Sequence, residues 1–246
     1  MSIKYTSDET KAAIEQAAKK IASLYTQGLL NWYGMTKKEN GKSEYYTEIM
    51  SEWLLQNISI LQQISSSKVT RNNTYFMDHD AQSRNNQSNR EEEKIAMDIW
   101  TQNVIPSIGR VLDYQIPLKN NQTDTAGKID LLSYDDTIPA LRILELKQPK
   151  NQRETLLRCV LEAYTYSQMV DTNKLIKDAQ NHFKKLNIPD NTTIIACPLF
   201  FKNSLQWKEF DELKNGGRPY LKALMKTLSI EPIVLSQQYV AEIQQY

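Results

Sequence analysis

At 246 residues, with 40% apolar and 24% charged side chains, the chain has the length and composition of one large soluble domain or a domain with a sizeable extension. A formal net charge of +1 neither supports nor excludes a polyanionic partner, because balanced totals can hide a basic face. Cys159 and Cys197 sit in apolar segments without CxxC spacing and read as buried reduced thiols; the polar start with Asp8 and Glu9 does not read as a signal peptide. The longest apolar run, 194–201, is too short for a bilayer and contains Pro198, so a cytoplasmic protein without a membrane segment is the expectation.

Residues 8–33 read as a helix capped by Ser7 or Asp8, with Ile14, Ala18, Ile21 and Tyr25 at helical spacing. After the break at Gly34 to Gly41, a second helix is predicted over 45–64, with Ile49, Trp53, Gln56, Ile60 and Gln63 in line. The pair forms an N-terminal helical extension (1–65) that needs a surface to bury its apolar faces, on the main domain or on a second subunit. Residues 66–88 are rich in Ser, Asn, Gln and Arg and read as a polar linker, in which His79 is a solvated loop histidine rather than a metal ligand.

From 89 onward the predicted order is helix (90–104, capped by Asn89), strand (111–118), a turn-rich segment (119–126), strand (128–134), strand (140–146), helix (153–170) and strand (192–201). A loop at Asn215-Gly216-Gly217, a short helix over 220–228, an edge strand over 232–235 and a terminal helix to about 245 complete the chain.

The chemistry concentrates between Gly127 and Lys147. Side chains alternate along a strand, so Glu145 and Lys147 share a face with Leu141 and Ile143, and Asp130 shares one with Leu132. Two carboxylates and an ammonium on the covered face of a sheet need compensation. A hard cation between Asp130 and Glu145 would supply it; so would a plain ion pair of Lys147 with one acid. On the preceding helix Glu92 lies in line with the apolar stripe of Ile95, Ala96, Ile99 and Trp100, which points it toward the sheet, although first-turn dipole stabilisation explains it equally. Lys150 and Arg153 follow the strand, as phosphate contacts or as a solvated basic loop.

Gly-x-x-Asp on the second strand, Glu-x-Lys on the third and a glutamate on the first helix, in that order of elements, resemble the PD-(D/E)XK nuclease superfamily over residues 89–201. The proline of that family's first motif is replaced by Ile129. The resemblance implies an α/β, restriction-endonuclease-like αβββαβ core with a mixed central sheet, spanning 89–246 with a helical C-terminal tail. It implies Mg2+ or Mn2+ held by Asp130, Glu145, the Leu146 carbonyl and Glu92. Lys147 would orient or deprotonate the attacking water. The implied function is metal-dependent hydrolysis of phosphodiester bonds, in DNA ahead of RNA, with targeting by a homo-oligomer or partner subunit through the N-terminal helices. A non-cutting nucleic-acid-binding or assembly subunit on the same fold is the alternative. Some members carry Gln-x-x-x-Tyr on the next helix; here Glu162 and Tyr166 are secondary candidates, because Glu162 falls off the main apolar arc and reads as a surface partner of Arg158.

Overall fold

Strand β4 (Ala140–Lys147) is the centre of the molecule: all eight of its residues are buried, Arg142, Glu145 and Lys147 included. The computed structural model describes residues 4–68, 70–77, 79, 91–118 and 127–246. Within them seven strands pair in chain order into one sheet: β1 (Val104–Ile105), β2 (Gly109–Pro117), β3 (Lys128–Asp135), β4, β5 (Thr193–Phe201), β6 (Ile233–Leu235) and β7 (Ala241–Ile243). Pairing is antiparallel from β1 to β4, parallel for β4–β5 and β5–β6, and antiparallel again for β6–β7. The protein is therefore mixed α/β. The two parallel steps require crossovers. Helices α5 (Leu156–Met169) and α6 (Thr172–His182) supply the first, α7 (Leu205–Lys214) and α8 (Pro219–Thr227) the second. Pro198 in β5 has no N–H to give, and the ladder with β6 begins one residue later, at Leu199.

Alternation along β4 sorts its apolar residues between two cores. Leu141 and Ile143 pack with α5 residues Leu157, Val160 and Leu161. Leu144 and Leu146 pack on the other face with Ala96 and Ile99 of α4 (Glu91–Thr101). Glu145 and Lys147 follow the first set, so they point at α5.

The N-terminal helices α1 (Ser7–Ala18), α2 (Tyr46–Gln56) and α3 (Ile58–Gln62) complete the α5 side. Between α1 and α2 the chain tightens into two 3-10 turns, Ile21–Thr26 and Gly28–Asn31, whose Leu24, Tyr25, Leu29 and Leu30 join the α5 core. Thr155 at the start of α5 donates to the Leu30 carbonyl at 2.6 Å. The Glu48 carboxylate accepts from the Tyr220 and Leu221 amides at 2.9 and 2.8 Å, capping α8, and Arg218 donates to Thr47 while lying 4.0 Å over the Tyr45 ring.

Several expectations need correction. The helix expected over 8–33 stops at Ala18, and its cap is Thr6, which forms a capping box with Glu9; wrapping around α5 replaces regular helix with 3-10 turns. The helix expected over 45–64 breaks at Asn57, whose side chain bonds back to the Trp53 carbonyl at 2.8 Å. Its buried line is Met50, Leu54, Leu61 and Ile64 rather than the one through Gln56 and Gln63. The terminal helix is absent: β7 takes its place and covers β6, which is no edge, since so short a segment cannot repay helix nucleation. Helices α6 and α7 went unpredicted, although Asp171 and Ser204 cap them and Leu175–Ile176–Ala179 and Leu205–Glu209–Phe210–Leu213 have helical spacing. The Asn89 cap, the turn segment 119–126 and residues 69, 78 and 80–88 of the linker lie outside the described residues. Among those described, no helix is long and apolar enough to cross a membrane.

If Glu48 ties α2 to α8 as a cap, Glu48→Ala should lower unfolding free energy by about 1–2 kcal/mol in urea denaturation, the usual scale for a lost helix cap. Unchanged stability would mean that the N-terminal helices are held by apolar packing alone.

Candidate active site

Lys147 is 3% exposed and carries its charge into the interior between β4 and α5. Its Nζ donates to Glu145 Oε1 and to Glu162 Oε2, each at 2.9 Å, and stands 3.2 Å from Glu154 Oε2 in the loop before α5. Burial works against the ammonium, but the charges of Glu145 and Glu162 outweigh it and hold the lysine pKa well above its usual range. Lys147 is charged at every physiological pH.

Asp130 reaches the same place from β3. The β3–β4 ladder ends at Leu131 opposite Leu144, and past that point the Asp130 carboxylate takes over: Oδ2 accepts from the Leu146 amide at 3.0 Å. Oδ1 accepts from Gln115 Nε2 at 2.9 Å. Gln115 sits in β2 with φ +52, left-handed backbone that is unfavourable for a residue with a side chain, and the strand upstream carries a bulge between Val111 and Asp113. Backbone held in that region beside a half-buried carboxylate marks a constrained position. Burial pushes the Asp130 carboxyl from its ordinary 3.8 up to about 6; Lys147 and the Leu146 amide pull it down, Glu162 and Glu92 push it further up.

Glu145 is raised well above the usual carboxylate range, by burial first and then by the charges of Asp130 and Glu162. One of its oxygens holds Lys147. The other, Oε2, is buried and has no hydrogen-bond partner. Behind it, the Cys159 thiol donates to the Glu145 carbonyl at 3.5 Å and is itself pushed up by burial.

Glu162 belongs inside, which corrects its surface reading, and Tyr166 lies beside it. Both are buried, and Glu162 pairs with Lys147, not with Arg158; Arg158 lies 3.0 Å from Glu154 and donates to Asn31 at 3.0 Å. The helical wheel assumed one covered face of α5, whereas the N-terminal segment covers a second. Tyr166 donates to Glu162 Oε1 at 3.2 Å and lies 3.4 Å from the Tyr25 hydroxyl, from which it can accept, with the two rings edge to face at 5.4 Å. Gly127 lies against this tyrosine: a Cβ there would run into the phenol oxygen.

The remaining candidates sit at the margin. The Gln148 amide donates to Glu92 Oε1 at 3.3 Å, so Glu92 reaches the end of β4 but not the Lys147 cluster. Lys150 is 83% exposed and 3.6 Å from Glu91, and Arg153 is exposed. His79 is not a solvated loop residue: Nε2 lies 2.9 Å from Asp113 Oδ1 and the ring stacks on Tyr114 at 4.2 Å. Asp113, 2% exposed on the bulged strand, needs that partner, and its hydrogen bond raises the histidine pKa. The sequence does not single out Gln115 or Glu154, and it places Tyr25 only on the apolar stripe of an N-terminal helix. The Glu-x-x-x-Tyr spacing was visible, but nothing in the residue pattern marks Gln115 or Glu154.

Among the described residues no group of three His, Cys, Asp or Glu side chains is arranged to hold a metal ion on its own. What the cluster has is an excess of acid. Glu145, Glu154, Glu162 and Asp130 face Lys147 and the nearby Arg158.

Two outcomes follow. Gly127→Ala should destabilise the fold by about 1–3 kcal/mol, the range for overpacking, and Tyr166→Phe in the same chain should recover part of that loss in a double-mutant cycle. Strictly additive losses would mean that the two positions do not press on each other. Between pH 4 and 6 the folded chain retains a proton on Asp130 that the unfolded chain has released, so in chelator stability should fall as pH rises through that window. Asp130→Asn should flatten that slope in part, the raised Glu145 carboxyl keeping its own share, and add up to about 3 kcal/mol of stability at pH 7, with no gain below pH 4; equal pH profiles would show that Asp130 ionises freely.

Compared with sequence models of protein families, with curated proteins and with solved structures, the chain finds no match.

Proposed function

We propose that the chain is a metal-dependent nuclease of the PD-(D/E)XK type, hydrolysing phosphodiester bonds in nucleic acid, DNA ahead of RNA. One observation carries the reading: a fully buried Lys147 ammonium and two strand carboxylates, Asp130 and Glu145, meet at one end of the sheet, and one Glu145 oxygen is buried without a partner. A structural ion pair would not need the second acid or leave that oxygen bare. The order α4, β2, β3, β4, α5, β5 is in line with a restriction-endonuclease-like core, with β1, α6, β6 and β7 as additions to it.

The donor set suits magnesium or manganese. Mg2+ commonly takes only one or two protein carboxylates and completes its shell with water and substrate phosphate. Asp130 and Glu145 would hold the ion, with the Leu146 carbonyl beside them. Glu92, one step back on the Gln148 amide, would act through water. Each Asp130 oxygen accepts one hydrogen bond and keeps a further lone pair. Bound there, the cation would polarise the phosphate and lower the pKa of a water.

The protein groups divide the remaining work. Gln115 and the Leu146 amide fix the Asp130 carboxylate, so the acid is oriented before substrate arrives. Lys147, held by Glu145 and Glu162, is assigned to orienting the attacking water and stabilising charge on the phosphate. Glu162, with Tyr166 behind it, holds that ammonium in place. Lys150 and Arg153, at the mouth, are assigned to the phosphate backbone.

Purified protein with supercoiled plasmid, single-stranded DNA or RNA should produce strand scission with Mg2+ or Mn2+ and none in chelator. Asp130→Ala and Lys147→Ala should each slow it by about a hundredfold or more, the scale of losing one preorganised stabilising group. No scission with either metal, or equal rates in the variants, would sink the catalytic reading; tight binding without scission would favour a non-cutting subunit.

A further inference from the structure

Beside the Lys147 cluster a separate cavity of about 510 Å3 opens at the loop between β4 and α5, with Asn31, Gln148, Lys150, Arg153, Glu154 and Arg158 in its lining. Its chemistry is that of an anion site. Three cations face one carboxylate, and that carboxylate is already shared: Glu154 Oε2 lies 3.2 Å from Lys147 and Oε1 lies 3.0 Å from Arg158 Nε. A single carboxyl group therefore spaces the buried lysine from the arginine.

Arg158 is built in. Its side chain is 17% exposed, Nη1 donates to Asn31 at 3.0 Å, and Nε faces Glu154 without the alignment of a hydrogen bond. Among the described residues Nη2 has no protein partner. With Nε against Glu154 and Nη1 on Asn31, the guanidinium is fixed in place and Nη2 is the donor left to turn to a phosphate oxygen. The first amides of α5 do not provide the site: the Leu156 amide donates to Glu209 and the Arg158 amide to Thr155.

We infer that this cavity binds a phosphate of the substrate strand next to the one that reacts, with Arg158 as its fixed donor, Arg153 and Lys150 closing over it, and Asn31 holding the guanidinium in place. The inference rests on the nuclease reading for the word substrate, but not for the anion site itself. It also gives residues 1–65 a part in recognition. Asn31 ends the second 3-10 turn, and Thr155, capping α5, fixes its neighbour Leu30, so the N-terminal segment is one wall of the subsite. Targeting then begins within this chain.

The test is fluorescence anisotropy of a single-stranded DNA oligonucleotide bound to the full chain in chelator, where no scission is expected, as a function of salt. Arg158→Gln should weaken binding about tenfold or more, the scale of a lost charge-assisted contact, and lower the salt slope by about one. Arg153 is exposed, so Arg153→Gln should fold normally and shift affinity in the same direction. The pair Lys184→Gln and Lys185→Gln, elsewhere on the surface, should leave binding unchanged. Strands ending in a 5′-phosphate or a 5′-hydroxyl, and a circular strand, separate the two sources of phosphate. A 5′-phosphate preference lost in Arg158→Gln assigns the subsite to a strand end; equal losses on all three assign it to the backbone. Wild-type affinity and salt slope in both arginine variants, or an equal loss in the lysine control, would overturn the subsite. An Arg158-dependent affinity without scission in Mg2+ or Mn2+ would sink the nuclease reading and leave the subsite standing.

Discussion

The structure depends on keeping one ammonium group out of water. A buried lysine without partners would neutralise or unfold the region around it, and Lys147 escapes both outcomes because carboxylates from β4, the following loop and α5 converge on it. That convergence requires α5 to be covered on two faces. One is the sheet. The other is the N-terminal segment, whose Leu24, Tyr25, Leu29 and Leu30 fill the space beside Glu162 and Tyr166. The N-terminal helices are thus part of the physical conditions under which the cluster exists.

The cluster holds more carboxyl groups than its cations could neutralise if all were ionised. Asp130 is raised to about 6 and Glu145 further above its usual range, so the fold carries unfavourable electrostatic energy at neutral pH. Local strain accompanies it. Gln115 adopts left-handed backbone while bonding to Asp130, and Gly127 has no side chain where Tyr166 presses closest. Strain and unpaired charge concentrated at one sheet end are what a binding site retains and a structural core discards. A cation between Asp130 and Glu145 would offset that energy, so under the proposed function metal binding would raise the stability of the chain.

Asp130, Glu145 and Lys147 were legible in the sequence because strand periodicity is short and strict: alternation alone puts Glu145 and Lys147 on one covered face. Strands β2 to β5 were legible as short apolar, β-branched-rich runs bounded by turn residues. Glu162 was not, because a helical wheel ranks positions around one buried face and α5 has two. Gln115 was out of reach, since a bulge and a left-handed residue break the alternation that would have located its side chain. Glu154 lies in a loop, where no periodicity applies. Glu92 was read correctly as pointing toward the sheet, but its distance from Lys147 depends on how α4 packs, and it ends on the Gln148 amide. The end of the chain was misread as helix because pairing with β6, a tertiary event, decides the state of so short a segment.

Calorimetric titration of Mn2+ into the chain in buffers of different ionisation enthalpy, near pH 6, tests the central claim most directly. Binding with release of protons from the raised Asp130 and Glu145 carboxyls, lost in Asp130→Asn and in Glu145→Gln, is the predicted result. No binding to the wild type, or binding that both variants retain with the same proton release, would contradict the assignment of this cluster as a metal-dependent site.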